Sequence, residues 1–264
     1  MALTVGQVVG LSGTAWLEGS AVTVTGGTGD LISADGSSTV DLTGWSFTDN
    51  DATPIVFDSD STLTCTDCVF TGNTEGCIEA SGFAALDVSG SSFTGNALSG
   101  NGGALRLEGT GSGIAMDVTL DDAVFEDNEV TGSGGAISAT QGSLSLSGLS
   151  FSGNIARTGG ALHGEITTLT DVVFHDNSAS YGGGAIALSG GEGLEIIGGE
   201  ILRNSSGLGG AVITWSVPVS LSGVDLGTGS DENTDDDING NSSRYTWDGS
   251  GVVTVSCTGQ VECE

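Results

Sequence analysis

The feature that most constrains this chain is a repeat in which an aromatic or aliphatic residue, the anchor, is followed three positions later by asparagine. Successive anchors are 23, 23, 32, 26, 23 and 27 residues apart. This period is typical of one turn of a β-solenoid, and its variation is expected where insertions loop out of a fixed turn. The seven pairs are Phe47 and Asn50, Phe70 and Asn73, Phe93 and Asn96, Phe125 and Asn128, Phe151 and Asn154, Phe174 and Asn177, and Ile201 and Asn204.

Each anchor is preceded by a fixed pattern. The residues seven and five positions before it are apolar in six repeats, and Thr167/Leu169 is the exception. Alternation with a period of two predicts a strand with one buried face. The residue three positions before the anchor is always Gly or Asp, which favours a bend. The apolar pairs are Val40/Leu42, Leu63/Cys65, Leu86/Val88, Val118/Leu120, Leu144/Leu146 and Leu194/Ile196.

A second block follows five or six residues after the asparagine in five repeats. It reads Gly-Gly-Ala and then an aliphatic residue. One repeat therefore predicts a strand, a bend, the anchor strand, an asparagine turn, a Gly-Gly turn and a further strand. The blocks begin at Gly102, Gly134, Gly159, Gly183 and Gly209.

This order of elements predicts an all-β fold, a right-handed parallel β-helix with three sheets and at least eight coils. We expect the phenylalanine rings to stack inside it and the asparagines to form a structural ladder at one turn. The stacked rings are those of Phe47, Phe70, Phe93, Phe125, Phe151 and Phe174. The ladder consists of Asn50, Asn73, Asn96, Asn128, Asn154, Asn177 and Asn204.

The repeats do not account for the whole chain. An eighth coil at 219–226 has Leu226 in place of Phe and lacks the asparagine. We divide the chain into an N-terminal cap with a first irregular coil at 1–39, the repeats at 40–229, and an acidic loop with a C-terminal cap at 230–264.

The alternation of Phe-x-x-Asn with Gly-Gly-Ala-(Ile/Leu/Val) resembles the repeat of the chlamydial polymorphic outer membrane proteins and related bacterial surface proteins. The resemblance covers about residues 40 to 226 and implies a cell-surface or secreted β-helix that acts as an adhesin. The chain departs from the pattern in its first two coils, where Cys77 and Ile78 stand in place of the Gly-Gly-Ala block.

Charge excludes several classes of partner. The chain has 34 acidic residues, four arginines, no lysine and a net charge of −30. Such a charge repels phosphate backbones and anionic lipids, so we expect no binding of nucleic acid and no membrane docking. No apolar run is long enough for membrane insertion. Residues 1–20 do not read as a signal peptide, so we expect a secreted protein whose leader is not in this chain, or a segment of a longer protein.

The five cysteines fall into two groups, Cys65, Cys68 and Cys77 in the second coil and Cys257 and Cys263 near the end. Cys65 occupies a position that other repeats fill with a buried apolar residue. A redox or zinc motif would need a second pair at suitable spacing. We therefore expect structural disulfides, with Cys257 joined to Cys263 and two of the first three joined, which indicates an oxidising compartment.

Parallel β-helices include polysaccharide lyases and hydrolases, and such enzymes need clustered carboxylates on one face. Asp122 and Asp171 share a bend position two coils apart, but Asp and Gly interchange there as turn chemistry predicts. His163 and His175 fall on different sheets, and no Ser or Cys nucleophile lies between them. We expect no catalytic residue, and a polysaccharide lyase or glycoside hydrolase is the alternative.

An acidic segment at 231–241 has oxygen-bearing side chains at alternating positions and then Gly240. This spacing resembles that of calcium loops, and a hard cation would relieve the repulsion between the carboxylates. The competing interpretation is a solvated loop. The candidate calcium ligands are Asp231, Asn233, Asp235, Asp237 and Asn239.

The sequence therefore predicts a non-enzymatic, extracellular or cell-surface β-helix with a structural or adhesive role. Its expected partners are a glycan or a surface receptor. Because the ends of a β-helix expose strand edges, we also consider self-association end to end into a filament.

Overall fold

The anchors lie at the centre of short parallel strands that pair with the same strand one coil later. The computed structural model describes residues 2–3, 9–82, 84–109, 116–215, 217–234, 237–240, 245–250 and 255–257. It confirms an all-β parallel solenoid of about nine turns with three sheets. Among the described residues there is no α-helix, and a single 3-10 turn spans Gly229–Asp231.

The Phe sheet carries the anchors. Its pairing keeps strict register, so Phe70 lies opposite Phe47 on one side and Phe93 on the other. The same register extends to Val24 in the coil before Phe47. The strands are Ala2–Leu3, Thr23–Thr25, Ser46–Thr48, Val69–Thr71, Ser92–Thr94, Val124–Glu126, Ser150–Ser152, Val173–His175 and Glu200–Leu202.

The second sheet precedes the anchors and is called the pre-anchor sheet. Five of its strands pair in parallel, Trp16–Ser20, Thr39–Thr43, Thr62–Thr66, Ala85–Ser89 and Asp117–Asp121. The face continues in the second halves of Ile137–Ser147 and Leu162–Thr170, and then in Leu194–Ile197, Val219–Asp225 and Tyr245–Ser250.

The third sheet follows the Gly-Gly-Ala blocks and is called the Gly-Gly-Ala sheet. It contains Val9–Leu11, Ile32–Ala34, Ile55–Phe57, Ile78–Gly82, Leu105–Gly109, the first halves of Ile137–Ser147 and Leu162–Thr170, then Ile186–Leu188, Val212–Thr214, Ile238–Gly240 and Val255–Cys257. A minor ladder of short strands, called the corner ladder, lies between the Phe and Gly-Gly-Ala sheets. It contains Ala97–Leu98, Glu129–Val130, Ile155–Thr158, Ser178–Gly182 and Ser205–Ser206.

A stack of aromatic rings fills the interior, because the anchors face inward at every coil. The six phenylalanine anchors are fully buried. Neighbouring ring centroids lie 4.7–5.0 Å apart, with interplanar angles of 3–10°. Trp45 extends the stack against Phe47 at 5.8 Å. Its indole also occupies the space that a side chain at Gly19 would need, which explains a glycine opposite the buried Leu42.

The bends on either side of each anchor adopt left-handed backbone conformations. Asp67 has φ 53° three residues before its anchor, and Asp127 has φ 52° two residues after its own. The other coils have glycine or aspartate at these positions, because both residues tolerate positive φ. Arg203 is the exception, with φ 55°. Its guanidinium is held by Asp176 at 2.9 Å and by Asp231 at 3.3 Å.

The break in the apolar pattern at Thr167 is explained by a bulge. Leu144 pairs with Ile166, and Ser145 then pairs with Thr168, so Thr167 is the extra residue. Ile166 is buried and takes the inward position that the spacing assigned to Thr167.

The regular pairing extends beyond the predicted repeat region at both ends. Trp16–Ser20 pairs in register with Thr39–Thr43, and Ile32–Ala34 pairs with Ile55–Phe57. At the other end, Tyr245–Ser250 pairs with Val219–Asp225, and Val255–Cys257 pairs with Ile238–Gly240. The segments assigned as caps thus contribute strands to the solenoid.

Candidate functional site

The asparagine ladder is internal. The Asn128 amide nitrogen donates to the Phe93 carbonyl at 3.0 Å and to the Asn154 Oδ1 at 3.0 Å. Its own Oδ1 accepts from the backbone N–H and the amide of Asn96 at 3.1 and 3.0 Å. All seven predicted members are fully buried, namely Asn50, Asn73, Asn96, Asn128, Asn154, Asn177 and Asn204.

The same pattern of bonds recurs two coils later. The Asn177 amide donates to the Phe151 carbonyl at 3.0 Å and to the Asn204 Oδ1 at 2.9 Å. The Asn177 Oδ1 accepts from the backbone N–H and the amide of Asn154 at 3.0 and 2.9 Å. Because these bonds satisfy the buried amides, the ladder supports the turn and offers no group to a ligand.

The ladder has one more rung than the sequence analysis assigned. The Asn233 Oδ1 accepts from the Asn204 backbone N–H at 2.9 Å and from its side-chain amide at 3.0 Å. The Asn233 amide donates to the Ile201 carbonyl at 2.8 Å. The expectation that the eighth coil lacks the asparagine is therefore wrong. The rung lies seven residues after Leu226 because an inserted 3-10 turn precedes it.

This rung removes Asn233 from the candidate calcium ligands, because its oxygen is occupied inside the protein. The buried Asp237 accepts from the Asn233 amide at 3.0 Å. Asp231 is exposed and contacts Arg203, Asn239 is buried on a Gly-Gly-Ala strand, and Asp235 lies outside the described residues. Over the described part of the chain, no group of three His, Cys, Asp or Glu side chains is arranged to hold a metal. Calcium binding by this segment stays a prediction.

The cysteines of the second coil lie in the core. Cys65 and Cys68 form a disulfide across the bend at Asp67, and Cys77 is a buried free thiol. Burial raises the pKa of the Cys77 thiol well above its usual value, so the thiol is protonated and inert near neutral pH. The predicted pairing of Cys257 with Cys263 falls on residues whose side chains lie outside the described part.

The carboxylates considered for catalysis do not converge. Asp122 and Asp171 are exposed at bends, with φ of 49° and 51°. His175 lies on the Phe sheet, with its Nε2 3.1 Å from the Glu200 Oε2. His163 lies on the Gly-Gly-Ala sheet, and burial lowers its pKa. The two histidines are on different sheets, as the register predicted.

A cleft appears where the repeat changes length. In the coils of Asn50 and Asn73, the next Gly-Gly-Ala strand begins five positions after the asparagine, whereas Leu105 lies nine positions after Asn96. The longer connection forms the corner ladder, whose first strand is Ala97–Leu98. A cavity of about 120 Å³ lies at this step. Its lining residues are Thr53, Glu75, Gly76, Cys77, Ile78, Glu79, Leu98, Gly102 and Arg106.

Charged groups are held in fixed positions at the cleft. Glu79 and Arg106 are paired across adjacent strands of the Gly-Gly-Ala sheet, both pointing away from the interior. The Arg106 Nη2 lies 2.6 Å from the Glu79 Oε1, and its Nε lies 3.1 Å from the Glu108 Oε1. The Thr53 hydroxyl donates to the Glu75 carbonyl at 2.9 Å, which ties down the opposite side. The cleft therefore offers oriented donors and acceptors beside the apolar Leu98.

Burial raises the pKa of Glu79, and the charges of Glu108 and Asp30 act in the same direction. The Arg106 guanidinium opposes them. A partly desolvated carboxylate with a specific charge partner in a cleft is a common feature of binding and catalytic sites.

The sequence analysis missed this pair. Aligning the coils on their Gly-Gly-Ala strands would have revealed it, because Glu79 follows Ile78 as Arg106 follows Leu105. The Gly-Gly-Ala motif does not mark this strand, because the coil of Ile78 has Cys77 in place of the block.

A larger open depression of about 510 Å³ lies on the outer face of the pre-anchor sheet. Glu192 and Glu195 border it, and no basic residue lines it. It lacks the opposed charges of the cleft at Arg106.

Comparisons with known proteins agree with this architecture. A family model described as the right handed beta helix region matches residues 7–163, more than half of the chain. The chain belongs to the right-handed β-helix family. A second model, the repeat of the Chlamydia polymorphic membrane proteins, matches residues 171–189 of the β-helix. This match confirms the resemblance found from the repeat motifs. Together the two matches indicate a surface-associated β-helix module.

No curated protein and no solved structure matches the β-helix significantly. Among the described residues, no helix is long and apolar enough to cross a membrane.

Proposed function

We propose that this β-helix is an adhesive surface module that binds a neutral glycan in the cleft between Glu79 and Arg106. The carrying observation is the fixed set of donors and acceptors in a concave site of about 120 Å³. Carboxylate oxygens accept hydrogen bonds from hydroxyl groups, and a guanidinium donates them in a planar fork. Leu98 supplies the apolar surface that the carbon face of a sugar needs.

A neutral ligand suits the electrostatics of the chain. With a net charge of −30, the β-helix repels polyanions at long range. Within the cleft, Arg106 is already paired with two carboxylates, so little positive charge is left for an acidic ligand. Hydroxyl groups can add to such a network without displacing it.

A glycan array probed with the wild-type chain and with Arg106→Gln tests the proposal. Binding of neutral glycans by the wild type, lost in Arg106→Gln, supports it. Arg203→Gln is the matched control, because Arg203 is a salt-bridged surface arginine outside the cleft. Equal loss in both variants, or no glycan bound by the wild type, would refute the assignment of this cleft.

The raised pKa of Glu79 favours a second candidate, a glycoside hydrolase in which Glu79 is the general acid. A reducing-sugar assay on the glycans that bind distinguishes the two functions. Release of sugar by the wild type that disappears in Glu79→Gln supports the enzyme. Binding without release supports the adhesive module.

End-to-end assembly is compatible with either function. Parallel in-register pairing continues to the last described strand, Val255–Cys257, and a ladder of this kind can be extended by a strand of a second copy. Sedimentation velocity over a range of protein concentrations tests this. Growth of the sedimenting species with concentration supports a filament, and a single monomeric species contradicts it.

A further inference from the structure

The outer face of the Phe sheet carries a regular grid of small side chains over four coils. In-register pairing places Thr25, Thr48, Thr71 and Thr94 in one row. It places Thr23, Ser46, Val69 and Ser92 in a second row. These eight positions, called the threonine face, carry no charge in a chain whose net charge is −30.

The face is periodic in two directions. Adjacent strands lie about 4.8 Å apart, and side chains two residues apart on one strand lie about 6.7 Å apart. The rings directly beneath, Phe47, Phe70 and Phe93, are nearly parallel, at 10° and 3°. Successive coils are thus superimposed with little rotation, which keeps the outer rows straight and the face flat.

The hydroxyl groups of this face are largely unused by the protein. The Ser46 and Thr48 hydroxyls lie 3.2 Å apart. Within the described part of the chain, the side-chain hydroxyls of the half-buried Thr25, Thr71 and Thr94 make no hydrogen bond to the protein. Val69, 40% exposed, presents its methyl groups in the same plane.

We infer that the threonine face binds the surface of ice. The partner must be uncharged, periodic in two directions, and able both to donate and to accept hydrogen bonds. A hydroxyl group does both, so it can take the place of a water molecule in an ordered lattice, while the neighbouring methyl groups exclude liquid water. This inference is independent of the glycan proposal, which concerns another sheet.

Two other occupants fit less well. The flat side of a polysaccharide is commonly bound by aromatic rings, and none of the eight positions is aromatic. A second copy of the chain would bury only about 200 Å² on a face of roughly 20 Å by 10 Å. A stable protein interface needs about 800 Å² per partner.

The test is the inhibition of ice recrystallisation by the purified chain, together with thermal hysteresis, compared with an inert protein at equal concentration. We expect the wild type to slow crystal growth and Thr71→Tyr and Thr94→Glu to lose this activity. The matched control is Thr64→Tyr, since Thr64 is the outward central residue of Thr62–Thr66, between Asp41 and Asp87. Circular dichroism and melting show that each variant is folded.

Three results would overturn the inference. The first is a wild type that grows ice crystals as the inert protein does. The second is equal loss in Thr64→Tyr and Thr71→Tyr. The third is a wild type that forms a dimer, or that binds crystalline cellulose, when Thr71→Tyr does not. Either outcome assigns the face to another partner. Arg106→Gln should keep the full ice activity, which separates this test from that of the cleft.

Discussion

Replacing Asn128 with alanine should destabilise the β-helix by about 2–6 kcal/mol. The side chain makes four hydrogen bonds of 3.0–3.1 Å in a site with no solvent access. Alanine leaves two buried donors of Asn96 without an acceptor, and each buried, unsatisfied donor costs about 1–3 kcal/mol. The carbonyl of Phe93 and the Oδ1 of Asn154 also lose a donor, so the upper half of the range is expected.

The free energy of unfolding is measured by urea denaturation, with the slope of the transition compared between variants to detect a loss of cooperativity. Ser152→Ala is the control, because Ser152 lies on the outer surface of the neighbouring coil. If Asn128→Ala lies within about 0.5 kcal/mol of the wild type, as for an ordinary surface substitution, the ladder does not stabilise the turn.

Asn128→Asp changes the hydrogen-bonding capacity of the side chain while keeping its volume nearly the same. A carboxylate still accepts from Asn96 but cannot donate to Phe93, and burial raises the pKa of the new carboxyl. The native state then binds the proton more tightly than the unfolded state. Relative to the wild type, the variant should lose stability as pH rises above the unfolded pKa of about 3.9. A pH-independent difference would contradict this reasoning.

Four further substitutions test other parts of the structure, and urea denaturation measures each. Phe151→Ala should cost about 3–5 kcal/mol, and no loss would contradict the inward stack. Gly160→Ala should be strongly destabilising, because a Cβ would meet the carbonyl oxygen of Gly184; a neutral effect would show that the coils can separate there. Thr94→Glu should be nearly neutral, since the side chain points outward, and severe loss would refute the register. Burial lowers the pKa of His163, so below the ordinary value of 6.5 the unfolded chain binds a proton more readily than the native state, and stability decreases as the pH is lowered. His163→Asn should reduce this loss of stability, and an unchanged pH dependence would contradict the reasoning.

The sequence predicted most of the fold because the coils are superimposed. Each position in a coil faces the same environment as in the neighbouring coil, so the chemistry that suits one repeat recurs in the others. Phe93 and Asn96 could be placed inside from spacing alone, and Asn177 makes the bonds of Asn128 two coils away. Only the structure shows why the second position of each block is glycine, since a Cβ at Gly135 would meet the carbonyl oxygen of Gly160.

The sequence was a poor guide wherever the spacing changed. Asn233 reads as one of several oxygen ligands in an acidic run, and only the path of the chain shows that it completes the ladder. At the bulge, one extra residue shifts the register, so Ile166 and not Thr167 takes the inward position. Insertions move residues relative to the repeat without altering the turn they return to, so a fixed spacing rule misplaces them.

By itself, then, the sequence determined the parallel β-helix, its inward phenylalanines and its buried asparagines, because these depend on contacts repeated at every coil. Tertiary structure decided the cleft at Glu79 and Arg106 and the flatness of the threonine face. The cleft depends on the step between the short connection after Asn73 and the long one after Asn96, a difference between two neighbouring coils that their shared motif does not contain. The face depends on how little one coil rotates against the next, a property of the packed rings that no single coil contains.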